Sequence, residues 1–133
     1  MGDWKSGLNS DPTDWLLQED NPSVRYLTLL DILDLAEDDP AVTNTKRRIM
    51  DTGAVPKILA KQKKGGYWEN QEDFYIRTKY KGIVWQLIVL ASLEADGNNT
   101  RIKKACEFIL ENSQDRQSGG FHAFCWIDFN AWY

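Results

Sequence analysis

A segment that occurs twice constrains this chain more than any other feature. Residues 55–68 read VPKILAKQKKGGYW, and residues 105–121 read ACEFILENSQDRQSGGF. Each is a helical run with an Ile-Leu pair, Ile58-Leu59 and Ile109-Leu110, followed by a glutamine, Gln62 and Gln114. A polar linker, a Gly-Gly pair and an aromatic side chain come next, Tyr67 and Trp68 in the first copy and Phe121 in the second. Gln62 and Gln114 stand 52 residues apart, room for a pair of helices and their loops. A period of that size marks stacked helical repeats. In each turn glycine permits tight backbone geometry, with Gly66 and Gly120 as the marker residues. Each glutamine amide is expected to bond backbone beside Gly65–Tyr67 or Gly119–Phe121, where it would satisfy helix-end groups.

The remaining helices are read from caps and periodicity. Asp11-Pro12 opens a short helix over 13–18, and Asn21-Pro22 opens another over 22–35, with Val24, Leu27 and Leu30 at helical spacing. Asp39-Pro40 starts a third helix to about residue 51, closed by Gly53. Its face is Val42, Arg48 and Ile49, and its many polar neighbours suggest an exposed element. Val55–Gln62 forms a fourth. Residues 63–80 carry glycines, charges and aromatics without a stripe and read as a long ordered loop. Residues 81–95 are apolar all round, the pattern of a helix covered on several sides. Asp96-Gly97 ends it, and Asn99 or Thr100 caps a sixth helix to about residue 112, with Ile102, Ala105, Cys106, Ile109 and Leu110 inward. No segment alternates convincingly, so little or no sheet is expected. The chain of 133 residues reads as one α-helical repeat domain. It has a polar N-terminal segment over 1–12 and an aromatic tail over 121–133 that could be a truncated repeat.

Charge narrows the partners. Residues 1–45 hold ten acids and two bases, and residues 46–133 hold fourteen bases and ten acids. Acids interleave with the basic clusters, so these read as solvated helix faces, not as a nucleic-acid surface. The longest apolar run, residues 83–93, is too short to span a bilayer. Two cysteines make no disulfide framework, and with no signal sequence at the N-terminus a cytoplasmic location is expected.

These residues resemble the prenyltransferase and squalene-cyclase-like α/α-toroid superfamily. The resemblance rests on the units ILAKQKKGGYW and FILENSQDRQSGGF and on the intervening YKGIVWQLIVLASLEADG, which is similar to the inner helix after such a turn. It implies an all-α fold of helical-hairpin repeats, part of an α/α toroid with long ordered loops. Such a ring has about six helix pairs, and this chain supplies roughly three. The resemblance also implies an aromatic-lined cavity for isoprenoids, with Tyr67, Trp68, Phe74, Tyr75, Trp85, Phe121 and Trp126 as the candidate lining. The alternative for each is packing between helix ends.

No catalytic constellation accompanies the resemblance. The acid motif DxDD and the metal motif DDxxD are both missing. Asp38-Asp39 is followed by Pro40 and reads as a helix cap. His122, Cys125 and Asp128, at i, i+3 and i+6, are a weak alternative zinc set that does not match the family's spacing. No metal or cofactor is assigned. The first reading is therefore a non-catalytic helical-repeat binding or interaction module. Its partner would be another protein, or a second copy met through the aromatic tail. The alternative is a prenyltransferase-like or cyclase-like enzyme, or part of one, acting on an isoprenoid or other apolar ligand.

Overall fold

The computed structural model describes residues 4–72, 74 and 80–121. Among them the chain is all-α. Its helices are α1 (Thr13–Leu16), α2 (Pro22–Leu27), α3 (Pro40–Arg48), α4 (Ala54–Ala60), α5 (Ile83–Ser92) and α6 (Thr100–Ser113). The only strand-like pairing among the described residues is an isolated bridge between Gln114 and Phe121. Two compact units divide the chain, Met1–Val55 and Pro56–Tyr133.

In the first unit, α2 and α3 pack together as a hairpin. Pro22 sits in the first turn of α2, where its missing N–H costs nothing. The helix does not run on to residue 35 in α geometry, as periodicity suggests. It widens into a π turn at Thr28–Ile32 and ends at Leu33. Asp34 then takes a left-handed φ of 56°. Asp39 caps α3, its carboxylate accepting the Ala41 N–H at 2.7 Å, so Asp38-Asp39 serves a helix start. The expectation that α3 is exposed is corrected. Val42 and Ile49 are fully buried, and Thr45 is buried with its hydroxyl donating to the Ala41 carbonyl at 2.7 Å. Their spacing of three and four residues makes one inward stripe on an otherwise polar helix. Arg48 closes the outer side, its guanidinium donating to the Glu19 carboxylate at 3.0 Å and the Glu19 carbonyl at 3.2 Å.

In the second unit, α5 and α6 form a second hairpin. Leu90 and Ile83 of α5 are buried, as are Ile102 and Ala105 of α6. The apolar circumference of α5 is covered in part. Ile88 and Val89 face solvent. On α6 the expected inward set divides: Ile102 and Ala105 are buried, whereas Cys106 and Leu110 are exposed. The loop before α5 is anchored by Phe74, which is buried and offers its carbonyl to the Val84 N–H at 3.3 Å.

The two hairpins share a turn that no sequence motif announces. Asp34 and Glu94 both hold left-handed φ values, 56° and 61°. Five residues later come the caps Asp39 and Asn99, with φ/ψ of −58°/135° and −58°/132°. Each cap N–H donates to the carbonyl three residues back, Ala36 and Asp96, at 3.0 Å. Each cap side chain accepts the N–H two residues on, from Ala41 and Arg101. Counting back from these turns, Leu29 of the π turn and Leu90 of α5 are the buried leucines. The path from Leu29 to Leu33 is one residue longer than that from Leu90 to Leu93. The π turn absorbs this extra residue.

Candidate functional site: two glutamine-linked turns

Gln62 follows α4, and Gln114 is the C-cap of α6. Both helix ends have carbonyls without intrahelical partners. The bonds that follow have the same topology in both turns. The Gln62 amide donates to the Gly66 carbonyl at 3.0 Å, and the Gln114 amide to the Gly119 carbonyl at 3.3 Å. The next residue, Lys63 or Asp115, donates its N–H to Tyr67 or Gly120, both at 2.8 Å. In return Lys63 accepts from the Gly66 N–H at 3.0 Å and Asp115 from the Gly119 N–H at 2.8 Å. Gly66 and Gly119 both have left-handed φ, 98° and 72°, the conformation for which a missing Cβ is the solution. The side-chain bond expected of each glutamine is thus present. The glycine pairs, however, do not align position for position. Gly66 corresponds to Gly119, and so Trp68 corresponds to Phe121. The second linker has one residue more, and the Asp115 carboxylate holds it by accepting the Gln117 and Ser118 N–H groups at 3.1 and 3.2 Å.

The two turns differ in what covers them. The start of α6 packs on the first turn. Gln62 donates a second bond to the Arg101 carbonyl at 2.8 Å, and the Arg101 guanidinium donates to the Leu59 carbonyl at 2.8 Å. A Cβ at Gly66 would lie 2.8 Å from the Lys104 carbonyl oxygen. Trp68 wedges beneath, 3% exposed, its indole N–H donating to the Ile58 carbonyl at 2.8 Å. At the second turn Gln114 donates to Gly119 alone among the described residues. Among the described residues a Cβ at Gly119 would have no neighbour within 4 Å, and Phe121 is 59% exposed. The Ile-Leu pairs repeat the contrast: Leu59 is 6% exposed and Leu110 is 47% exposed.

The remaining described aromatic candidates pack against rings outside the candidate set. Tyr67 and Phe74 both lie against Phe108, at ring-centroid distances of 5.2 and 5.7 Å. Phe108, half-buried on α6, was neither in the expected inward set nor among the sequence-derived lining candidates. Trp85 meets Tyr80 edge-on at 4.9 Å. Tyr75 and Trp126 lie outside the described residues, as do His122, Cys125 and Asp128. Among the described residues no three His, Cys, Asp or Glu side chains could hold a metal ion, and no helix is long and apolar enough to cross a membrane. Comparison with protein-family models, characterised proteins and solved structures finds no match.

The two turns should respond differently to loss of the amide. Gln62→Ala removes two bonds, one of them from the turn to α6, and is expected to cost about 1–2 kcal/mol. Gln114→Ala removes one long bond at an exposed site and should cost less than about 0.5 kcal/mol. Urea-unfolding midpoints of the two variants measure the difference, and equal losses would show that the α6 contact adds nothing.

Proposed function

We propose that the protein is a non-catalytic helical-repeat module that binds another protein, built on turns related to those of terpenoid-cyclase and protein-prenyltransferase toroids. One observation carries this reading: α5, α6 and the turn after α6 expose Ile88, Val89, Leu110 and Phe121 within a single unit. Large apolar side chains left outside the core of one unit are candidates for an interaction surface. The isoprenoid alternative draws less support, because two of its described lining candidates, Trp68 and Phe74, have almost no accessible surface. A prenyl chain would have to open the packing to reach either ring.

A photo-crosslinking side chain at position 110, in the protein's native host, tests the reading. A discrete protein adduct is expected at 110, absent when the probe replaces exposed Lys57 and lost when Phe121→Asp is added. The Phe121→Asp change should leave stability within about 0.5 kcal/mol, as an exposed position does. Absence of any protein adduct at 110, or binding of farnesol to the purified protein with shifts confined to Trp68 and Phe74, would overturn it.

A further inference from the structure

We infer that the Gln62 turn and the start of α6 form a cationic docking surface for an acidic segment of a partner protein. It sits at the other end of α6 from Leu110, so it is a second surface, beyond the one that carries the module reading. Lys61, Lys63 and Lys64 follow α4, and Arg101, Lys103 and Lys104 open α6. Along the sequence each cluster is a short solvated stretch, but the fold joins the two. The Gln62 amide bonds the Arg101 carbonyl, and the Arg101 guanidinium bonds the Leu59 carbonyl. A Cβ at Gly66 would stand 3.0 Å from Lys104 Cγ. All six cationic residues are exposed. Among the described residues none of the five lysines has an ion pair or a side-chain hydrogen bond. The acids nearest in sequence do not neutralise them. Glu69 and Glu107 pair with none of them, and the Asp96 carboxylate accepts the Asn98 N–H at 2.9 Å. The residues of this unit outside the described set hold two acids, Asp73 and Asp128, against two bases, Arg77 and Lys79, and so add no net charge of their own.

The placement of these charges works against stability. A helix start favours acids and a helix end favours bases. Helix α3 follows that rule, with Lys46, Arg47 and Arg48 in its last turn. Helix α6 has no acid in its first turn and no base in its last, and carries its bases at the start. Carboxylates laid over the turn would relieve both the dipole and the crowding of like charges. The chemistry of the cluster selects the partner. Its one arginine is spent on Leu59, Trp68 is buried and Tyr67 lies on Phe108, so no guanidinium fork or free ring offers itself to a nucleic acid. None of the large exposed apolar residues belongs to the turn or to the start of α6, so nothing there enters a bilayer. The chain's net charge of −4 opposes an extended anionic surface, whereas a short peptide meets only the local field. A second copy offers Asp31, Asp34, Glu37 and Asp38, but pairing two different surfaces repeats without closing.

The probe is a fluorescein-labelled oligoglutamate peptide, titrated with the full chain and followed by anisotropy. Saturable one-to-one binding is expected at low salt. Raising salt from about 0.03 M to about 0.3 M should weaken it at least about tenfold, since exposed charges are screened. Lys64→Glu and Lys104→Glu should each weaken it about threefold to tenfold, and the pair should abolish it. Arg116→Glu makes the same change of charge beyond the far end of α6 and should stay within about twofold. Lys104→Glu places an acid near a helix start, where it is favourable. Its unfolding midpoint should therefore hold or rise, which separates a lost site from a lost fold. Equal losses with Arg116→Glu would reduce the effect to net charge and overturn the inference. So would absence of binding, or tighter binding of oligouridylate or of phosphatidylserine vesicles lost with the same two variants. Light scattering that grows with protein concentration at low salt and is abolished by Lys64→Glu would make a second copy the occupant, and would also overturn it. Failure of the peptide with a retained protein adduct at position 110 would discard this surface and leave the module reading in place.

Discussion

Gly66→Ala is expected to destabilise the protein by about 3–5 kcal/mol, while Gly119→Ala should cost about 1–2 kcal/mol. Both glycines have left-handed φ, 98° and 72°, and an L side chain in that region costs about 1–2 kcal/mol by itself. Only Gly66 carries a second penalty. Its added Cβ would stand 2.8 Å from the Lys104 carbonyl oxygen and 3.2 Å from the carbonyl carbon. These are backbone atoms within α6 and cannot move aside as a flexible side chain can. Overpacking of this kind adds about 1–3 kcal/mol. Because α6 is held on the same turn by Gln62 and Arg101, its displacement would also break those bonds. Urea-unfolding midpoints at an unchanged slope give the comparison. Equal costs at the two positions would mean that the backbone conformation accounts for everything and that helix α6 does not press on the turn.

The legible part of the fold was local. Caps at Asp39 and Asn99, proline at the start of α2 and α3, and the missing alternation all depend on neighbouring residues, and these gave an all-α chain with helices close to their observed places. The glutamine-to-glycine bonds were legible for the same reason, since a side chain four or five residues from its acceptor needs no tertiary information. What escaped was set by packing. Val42 and Ile49 were legible as the face of α3, but the many polar residues around them concealed that this face is core. Cys106 and Leu110 have the inward periodicity of α6, yet periodicity states which face is apolar and not whether anything lies against it. The left-handed Asp34 and Glu94 carry no glycine or asparagine to mark them, so the turn they share emerges only from dihedral angles. At the candidate site, the pairing of Trp68 with Phe121 was hidden by the glycine doublets, which invite an alignment one residue out of step.

Trp68 decides between packing and ligand lining, and the expected effect of its removal is large. Trp68→Ala should cost about 3–5 kcal/mol, the range for deleting a buried aromatic side chain. The indole is 3% exposed and its N–H donates to the Ile58 carbonyl near the end of α4. Trp68→Phe keeps much of the wedge and loses the bond. The Ile58 carbonyl retains the Lys61 N–H at 3.1 Å, so no acceptor is left bare, and the cost of the lost bond should stay near about 1 kcal/mol. Phe121 occupies the corresponding place at the second turn but is 59% exposed, and Phe121→Ala should fall within about 0.5 kcal/mol of the parent. The ordering Trp68→Ala, then Trp68→Phe, then Phe121→Ala, read from thermal or urea unfolding, is what a structural wedge at the covered turn requires. An indole that lined a ligand cavity would be dispensable for folding, so a Trp68→Ala variant as stable as Phe121→Ala would transfer Trp68 from the packing of the first turn to a binding surface.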